Sequence, residues 1–196
     1  MKLIHYIVFI TLITAVFSCG KLIDEFYLSP EEKTQIPFYG YETITFFDEN
    51  SSIVIHAEDR LNEIYESSEC INCKDYSIFE RVSIKLRNNL FNINLSIESG
   101  RRKNYFTLSV GIDDAGFGCS LTSPLLKETL KDKELYYDSI DINNKMYYDI
   151  FSDTLKHEGI IPIDPNPVRC YYSTEYGVIK IDFSDSTSWE LEHIEW

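Results

Sequence analysis

Phe91-Asn92-Ile93-Asn94-Leu95-Ser96-Ile97-Glu98 alternates apolar and polar residues without a break. Successive side chains of a strand leave opposite faces of a sheet, so this period of two, sustained over eight residues, describes a strand with one face buried and the other in water. Its neighbours repeat the pattern. Upstream, Ile78, Val82, Ile84 and Leu86 face one way, with Arg81, Ser83, Lys85 and Arg87 opposite them, and Asn88-Asn89 turns the chain. Downstream, Gly100-Arg101-Arg102-Lys103-Asn104 forms a loop before a third run of Phe106, Leu108, Val110 and Ile112. The three runs predict an antiparallel meander.

The same rhythm extends to both ends. Glu42 to Phe46 and Ile53 to His56 flank a turn over Asp48-Glu49-Asn50-Ser51, and Leu135 to Ile142 and Lys145 to Phe151 flank Asn143-Asn144. Three last strands, Val168 to Ser173, Gly177 to Phe183 and Ser188 to Ile194, follow a connector stiffened by Pro162, Pro165 and Pro167. One short helix is expected where Ser123 caps Pro124, with Leu126 and Leu130 one turn apart. Composition agrees: 25 Ile, 7 Val, 12 Phe and 14 Tyr stand against 3 Ala, so residues that pack well on a pleated surface far outnumber the best helix former. The expected fold is mainly β, an antiparallel sandwich or strongly twisted sheet with one short helix. With 18 Lys+Arg against 32 Asp+Glu, the net charge of −14 argues against nucleic acid or an anionic lipid surface as partner.

At the start of the chain, Lys2 precedes an apolar run from Leu3 to Phe17 that is too short for the ~20 residues of a membrane span but fits the apolar core of a secretory signal. The run ends in Val16-Phe17-Ser18-Cys19, which resembles the bacterial lipobox. That resemblance implies cleavage before Cys19, acyl chains on Cys19, and a mature charge of −15 once Lys2 is removed. Two or more buried chains, at ~0.8 kcal/mol per methylene, anchor stably where one is marginal. The expected organisation is a signal peptide over 1–18, a lipidated N-terminus and tether over 19–37, and a single β-rich domain over 38–196. The membrane is then a partner through lipid alone, and the cell envelope, with the outer membrane favoured, is the expected location.

In the C-terminal half, Asn144 to Phe151, then Val168-Arg169-Cys170-Tyr171-Tyr172-Ser173 with Glu175-Tyr176-Gly177, then Trp189-Glu190-Leu191, resemble a recurring ending of small Bacteroidetes envelope lipoproteins. Ile36-Pro37-Phe38-Tyr39-Gly40-Tyr41-Glu42 resembles the start of the same domains. The resemblance implies a β-rich lipoprotein and carries over no catalytic residues.

Candidate chemistry is sparse. Cys70, Cys73, Cys119 and Cys170 are disulfide candidates in an exported chain, with three possible connectivities; a local Cys70–Cys73 ring with a long-range Cys119–Cys170 link is the preferred pairing. Cys-x-x-Cys also serves redox catalysis or zinc, but no helical period follows Cys73 and no second ligand pair has zinc spacing, so no metal and no cofactor is expected. Tyr136-Tyr137, Tyr147-Tyr148 and Tyr171-Tyr172 each place one ring on either face of a strand. Tyr137, Tyr148 and Tyr172 are the candidates for an outward platform facing a glycan or an envelope protein, cross-strand core packing being the plainer reading of such pairs. The expected role is non-catalytic, binding or structural. The alternative is a small glycan-directed hydrolase with an acid pair among Asp113, Asp114, Asp141 and Asp149.

Overall fold

The computed structural model describes residues 20–49, 51–68, 75–89, 91–112, 118–123, 135–158 and 165–196, and the backbone alone at 112, 118–123, 157 and 158. Among these residues the strands, in chain order, are β1 (Leu22–Phe26), β2 (Thr43–Asp48), β3 (Ser51–Ala57), β4 (Leu61–Ser68), β5 (Tyr76–Arg87), β6 (Phe91–Glu98), β7 (Tyr105–Ile112) and β8 (Gly118–Ser123). Then come β9 (Tyr136–Ile142), β10 (Lys145–Thr154), β11 (Lys156–Glu158), β12 (Pro167–Ser173), β13 (Gly177–Phe183) and β14 (Ser188–Glu195). Hydrogen bonds join twelve of them in the order β11-β8-β7-β6-β5-β3-β2-β14-β13-β12-β10-β9, while β1 and β4 both add to β5. The path is open and mainly antiparallel, the architecture that the alternation predicts. The meander pairs as read, with Leu95 opposite Ile84 on β5 and Leu108 on β7.

The sheet doubles back so that one face of its two halves encloses a shared core. Phe106 of β7 packs edge-on against Phe151 of β10 at 5.5 Å and lies 4.6 Å from Tyr172 of β12, while Phe91 of β6 meets Trp189 of β14 edge-on at 4.7 Å. Leu155 alone separates β10 from β11, so one bent stretch of chain reaches both β12 and β8. Asn143 and Asn144 both adopt positive φ, 52° and 60°, as the tight primed turn of a two-residue hairpin requires.

Three elements, β1, a short helix after it and β4, were not expected. The segment 20–37 is packed onto the domain: β1 pairs in parallel with β5, and Leu28 and Ile36 are buried in the core. Its only helix, α1 (Pro30–Lys33), starts at a capping box in which Ser29 and Glu32 exchange side-chain and backbone bonds. The short helix expected from Ser123 falls on 124–134, outside the described residues. Strand β4 escaped the pattern because it is exposed on both faces, so no alternation marks it.

Cys170 corrects the expected pairing. It is a free thiol, fully buried on β12 between β10 and β13, whereas Cys119 belongs to β8 between β7 and β11. The two strands share no neighbour. Burial pushes the Cys170 thiol far up from its ordinary range. Cys19, Cys70 and Cys73 lie outside the described residues.

Candidate functional site

The site begins with charges the fold cannot leave unpaired. Glu80 of β5 is 3 % exposed and receives Lys33 Nζ at 2.6 Å on one oxygen and the Leu28 N–H at 3.0 Å on the other. Burial raises its pKa, but Lys33 and the Leu28 amide outweigh that and hold the carboxyl below the usual range. Arg60 donates to the carbonyls of Ile36 at 2.8 Å, Phe38 at 2.9 Å and Lys33. Tyr172 donates its hydroxyl to Gln35 O at 2.8 Å. Three side chains from the domain thus grip residues 28–38.

Across from that segment lies the loop joining β6 to β7. Ser99 is its base: its hydroxyl donates to Phe26 O at 2.8 Å and accepts from the Glu80 N–H at 2.8 Å, tying β1, β5 and β6 together. Gly100 follows at a close approach of the backbone at Lys103, where a Cβ has no room. Asn104 accepts from the Gly100 N–H at 3.1 Å and donates to Glu32 Oε1 at 2.5 Å, joining the loop to α1. Between them opens a cleft of about 360 Å³ lined by Glu32, Gln35, Gly100, Arg101, Arg102 and Asn104, with Ile97 and Lys103 completing the wall. Arg101 donates to Ser77 Oγ at 3.1 Å, and Lys103 Nζ sits 5.4 Å from the centre of the Tyr105 ring. Arg102 is exposed and makes no ion pair with any described residue.

The tyrosines divide by face. Tyr148 is 65 % exposed and Tyr137 36 % exposed. Tyr172 is the correction: opposite Phe151 it faces inward and is fully buried, and its neighbour Tyr171 takes the outward place, 6.4 Å from Tyr137 ring to ring. The pairs Tyr148–Ser139, Tyr137–Ile150 and Tyr171–Ser152 put Tyr137, Tyr148 and Tyr171 on one side of the sheet. Sequence order alone cannot say which member of a Tyr-Tyr pair turns inward.

A second aromatic surface was not legible either. Tyr39 and Tyr41 are 63 % and 71 % exposed and stacked at 6.2 Å, on a loop held by the fully buried Glu42, whose carboxylate accepts the N–H groups of Tyr39, Gly40 and Tyr41 at 2.6, 2.9 and 3.1 Å. Gly40 at φ 111° lies against the backbone of Glu58–Arg60, where a side chain would meet Glu58 O at 2.7 Å. The visible signal was the Gly between two Tyr residues before an acid.

Of the acids considered for hydrolysis, Asp113 and Asp114 lie outside the described residues. Asp141 accepts the Asn144 N–H at 3.1 Å in the hairpin turn, and Asp149 accepts the Tyr136 hydroxyl. Asp141 pairs with Met146, and Asp149 lies three residues further along β10 at a positive φ of 54°. Among the described residues no three His, Cys, Asp or Glu side chains gather as a metal site, and no helix is long and apolar enough to cross a membrane. Compared with known proteins, the chain matches no family model, no curated protein and no solved structure.

Proposed function

We propose that this chain is a lipid-anchored envelope protein that binds an anion-bearing ligand in the cleft between α1 and the Gly100–Asn104 loop. One observation carries the reading: a chain with 14 excess negative charges gathers three consecutive cations on one loop and lines a cleft with them. Charges of one sign gathered along a concavity focus field on a ligand of the opposite sign. Arginine further offers planar paired donors to a carboxylate or phosphate.

The anchor belongs to the same proposal. The Lys21 N–H donates to Asp75 at 3.1 Å and its carbonyl accepts from Tyr76 at 3.1 Å, so the folded domain starts two residues after Cys19. Acyl chains there would hold the domain close to the bilayer rather than on a long tether.

Titration of the purified protein with sodium phosphate, against sodium chloride at matched ionic strength, tests the cleft. Amide resonances of Gln35 and Gly100–Asn104 are expected to shift together and saturate. Shifts scattered over the surface without saturation would remove the proposal. For the anchor, Cys19→Ala is expected to move the protein from the membrane fraction to the soluble one, and unchanged retention would sink that part.

A further inference from the structure

We infer that the cleft takes a sugar unit carrying a single carboxylate, such as a terminal uronic or nonulosonic acid. This inference rests on the anion-binding reading above and narrows it to one ligand class.

The cations explain only half of the wall. The same cleft holds the Glu32–Asn104 pair, a carboxylate and an amide joined at 2.5 Å. Glu32 spends one oxygen on Asn104 and the other on the Ser29 N–H at 2.8 Å, and Asn104 spends its carbonyl on Gly100. Both groups are therefore fixed in place, yet each keeps capacity. A carboxylate has about four acceptor positions, of which two are filled, and the amide nitrogen has a second N–H. A ligand that meets a fixed acceptor beside a fixed donor must supply both functions at neighbouring atoms. Adjacent hydroxyls of a sugar ring do so; a small oxyanion such as phosphate does so poorly, because most of its oxygens only accept and its charge would confront Glu32.

Size and charge narrow the class further. A volume of about 360 Å³ is at the small end of the roughly 300–1,000 Å³ typical of ligand sites, enough for one or two sugar rings. A polyanion would bring charge beyond the loop into the field of a chain with net charge −14, which repels it. One carboxylate at Arg102, supported by Arg101, with hydroxyls toward Glu32 and Asn104, uses four of the polar side chains that line the cleft.

Calorimetric titration of the purified protein with D-glucuronate, N-acetylneuraminate, D-glucose, the methyl ester of glucuronate and inorganic phosphate tests this. The acidic sugars are expected to bind at least tenfold tighter than glucose, the ester or phosphate. Arg102→Gln should weaken glucuronate and phosphate together by about tenfold, whereas Glu32→Gln should weaken glucuronate and spare phosphate. Melting curves of both variants show whether the fold is retained, and the wild-type ligand series stands without them. Phosphate binding as tightly as glucuronate would overturn the sugar assignment and leave the anion site standing. Glucose binding as tightly as glucuronate would overturn the role of the cations, and no binding by any of the five would overturn both.

Discussion

Two sets of charges in this molecule are treated in opposite ways. Around residues 28–42, Glu42, Glu80 and Arg60 point inward and every one is matched: three N–H groups for Glu42, an ammonium and an amide for Glu80, three carbonyls for Arg60. Around residues 100–104, Arg102 points outward and meets no carboxylate among the described residues, although acids outnumber bases 32 to 18. Other cations do find acids, as Arg81 finds Glu98 at 2.5 Å and Lys180 finds Glu190 at 3.0 Å. The difference teaches how to separate charge that holds the fold from charge left for a ligand. A buried ion must be compensated internally or it unfolds its surroundings, while an exposed one costs the fold nothing.

The contrast can be broken most directly at Arg60. Arg60→Ala strands the carbonyls of Lys33, Ile36 and Phe38 and should cost about 3–5 kcal/mol in urea unfolding, with Arg60→Lys recovering only a part, because an ammonium cannot hold the same fork. A loss no greater than that of Arg102→Gln would erase the distinction. Next in size, Glu42→Gln gives up one acceptor oxygen toward the Tyr39–Tyr41 loop and should cost about 1–3 kcal/mol. Thermal melting with the wild type alongside measures it.

Glu80 sharpens the comparison through pH. Its carboxyl is held below the ordinary 4.5, so it stabilises the fold above that value and loses this contribution as pH falls through the lowered folded-state pKa. The melting-temperature gap between wild type and Glu80→Gln should therefore be full at pH 7 and close as acidification passes below the ordinary carboxylate range. A gap independent of pH would show that the pair with Lys33 contributes nothing by charge. Cys170 should resist iodoacetamide in the folded protein and react only after unfolding, since burial both hides the thiol and suppresses its thiolate. The smallest expected effect is on the other side of the comparison: Arg102→Gln should leave the melting temperature where it is. A clear drop would mean that the loop cation serves the fold after all.

Much of this could be read without coordinates. Strict alternation in Ile93, Leu95 and Ile97 required a half-buried strand, because a slip by one residue would turn every apolar side chain into water. Asn143-Asn144 announced its hairpin, and Gly100 to Asn104 was read as a loop between strands, though not as a site. The packing of β1, α1 and Ile36 onto the domain was not legible, since their anchors, Arg60, Glu80, Ser99 and Tyr172, are distant in sequence. Nor was the inward turn of Tyr172 rather than Tyr171. Strand identity is a local property of side-chain period, so residue order determined it. A cleft is made by pairing segments far apart in the chain, so only the tertiary structure could bring Glu32 to Asn104 at 2.5 Å and set Arg102 beside them.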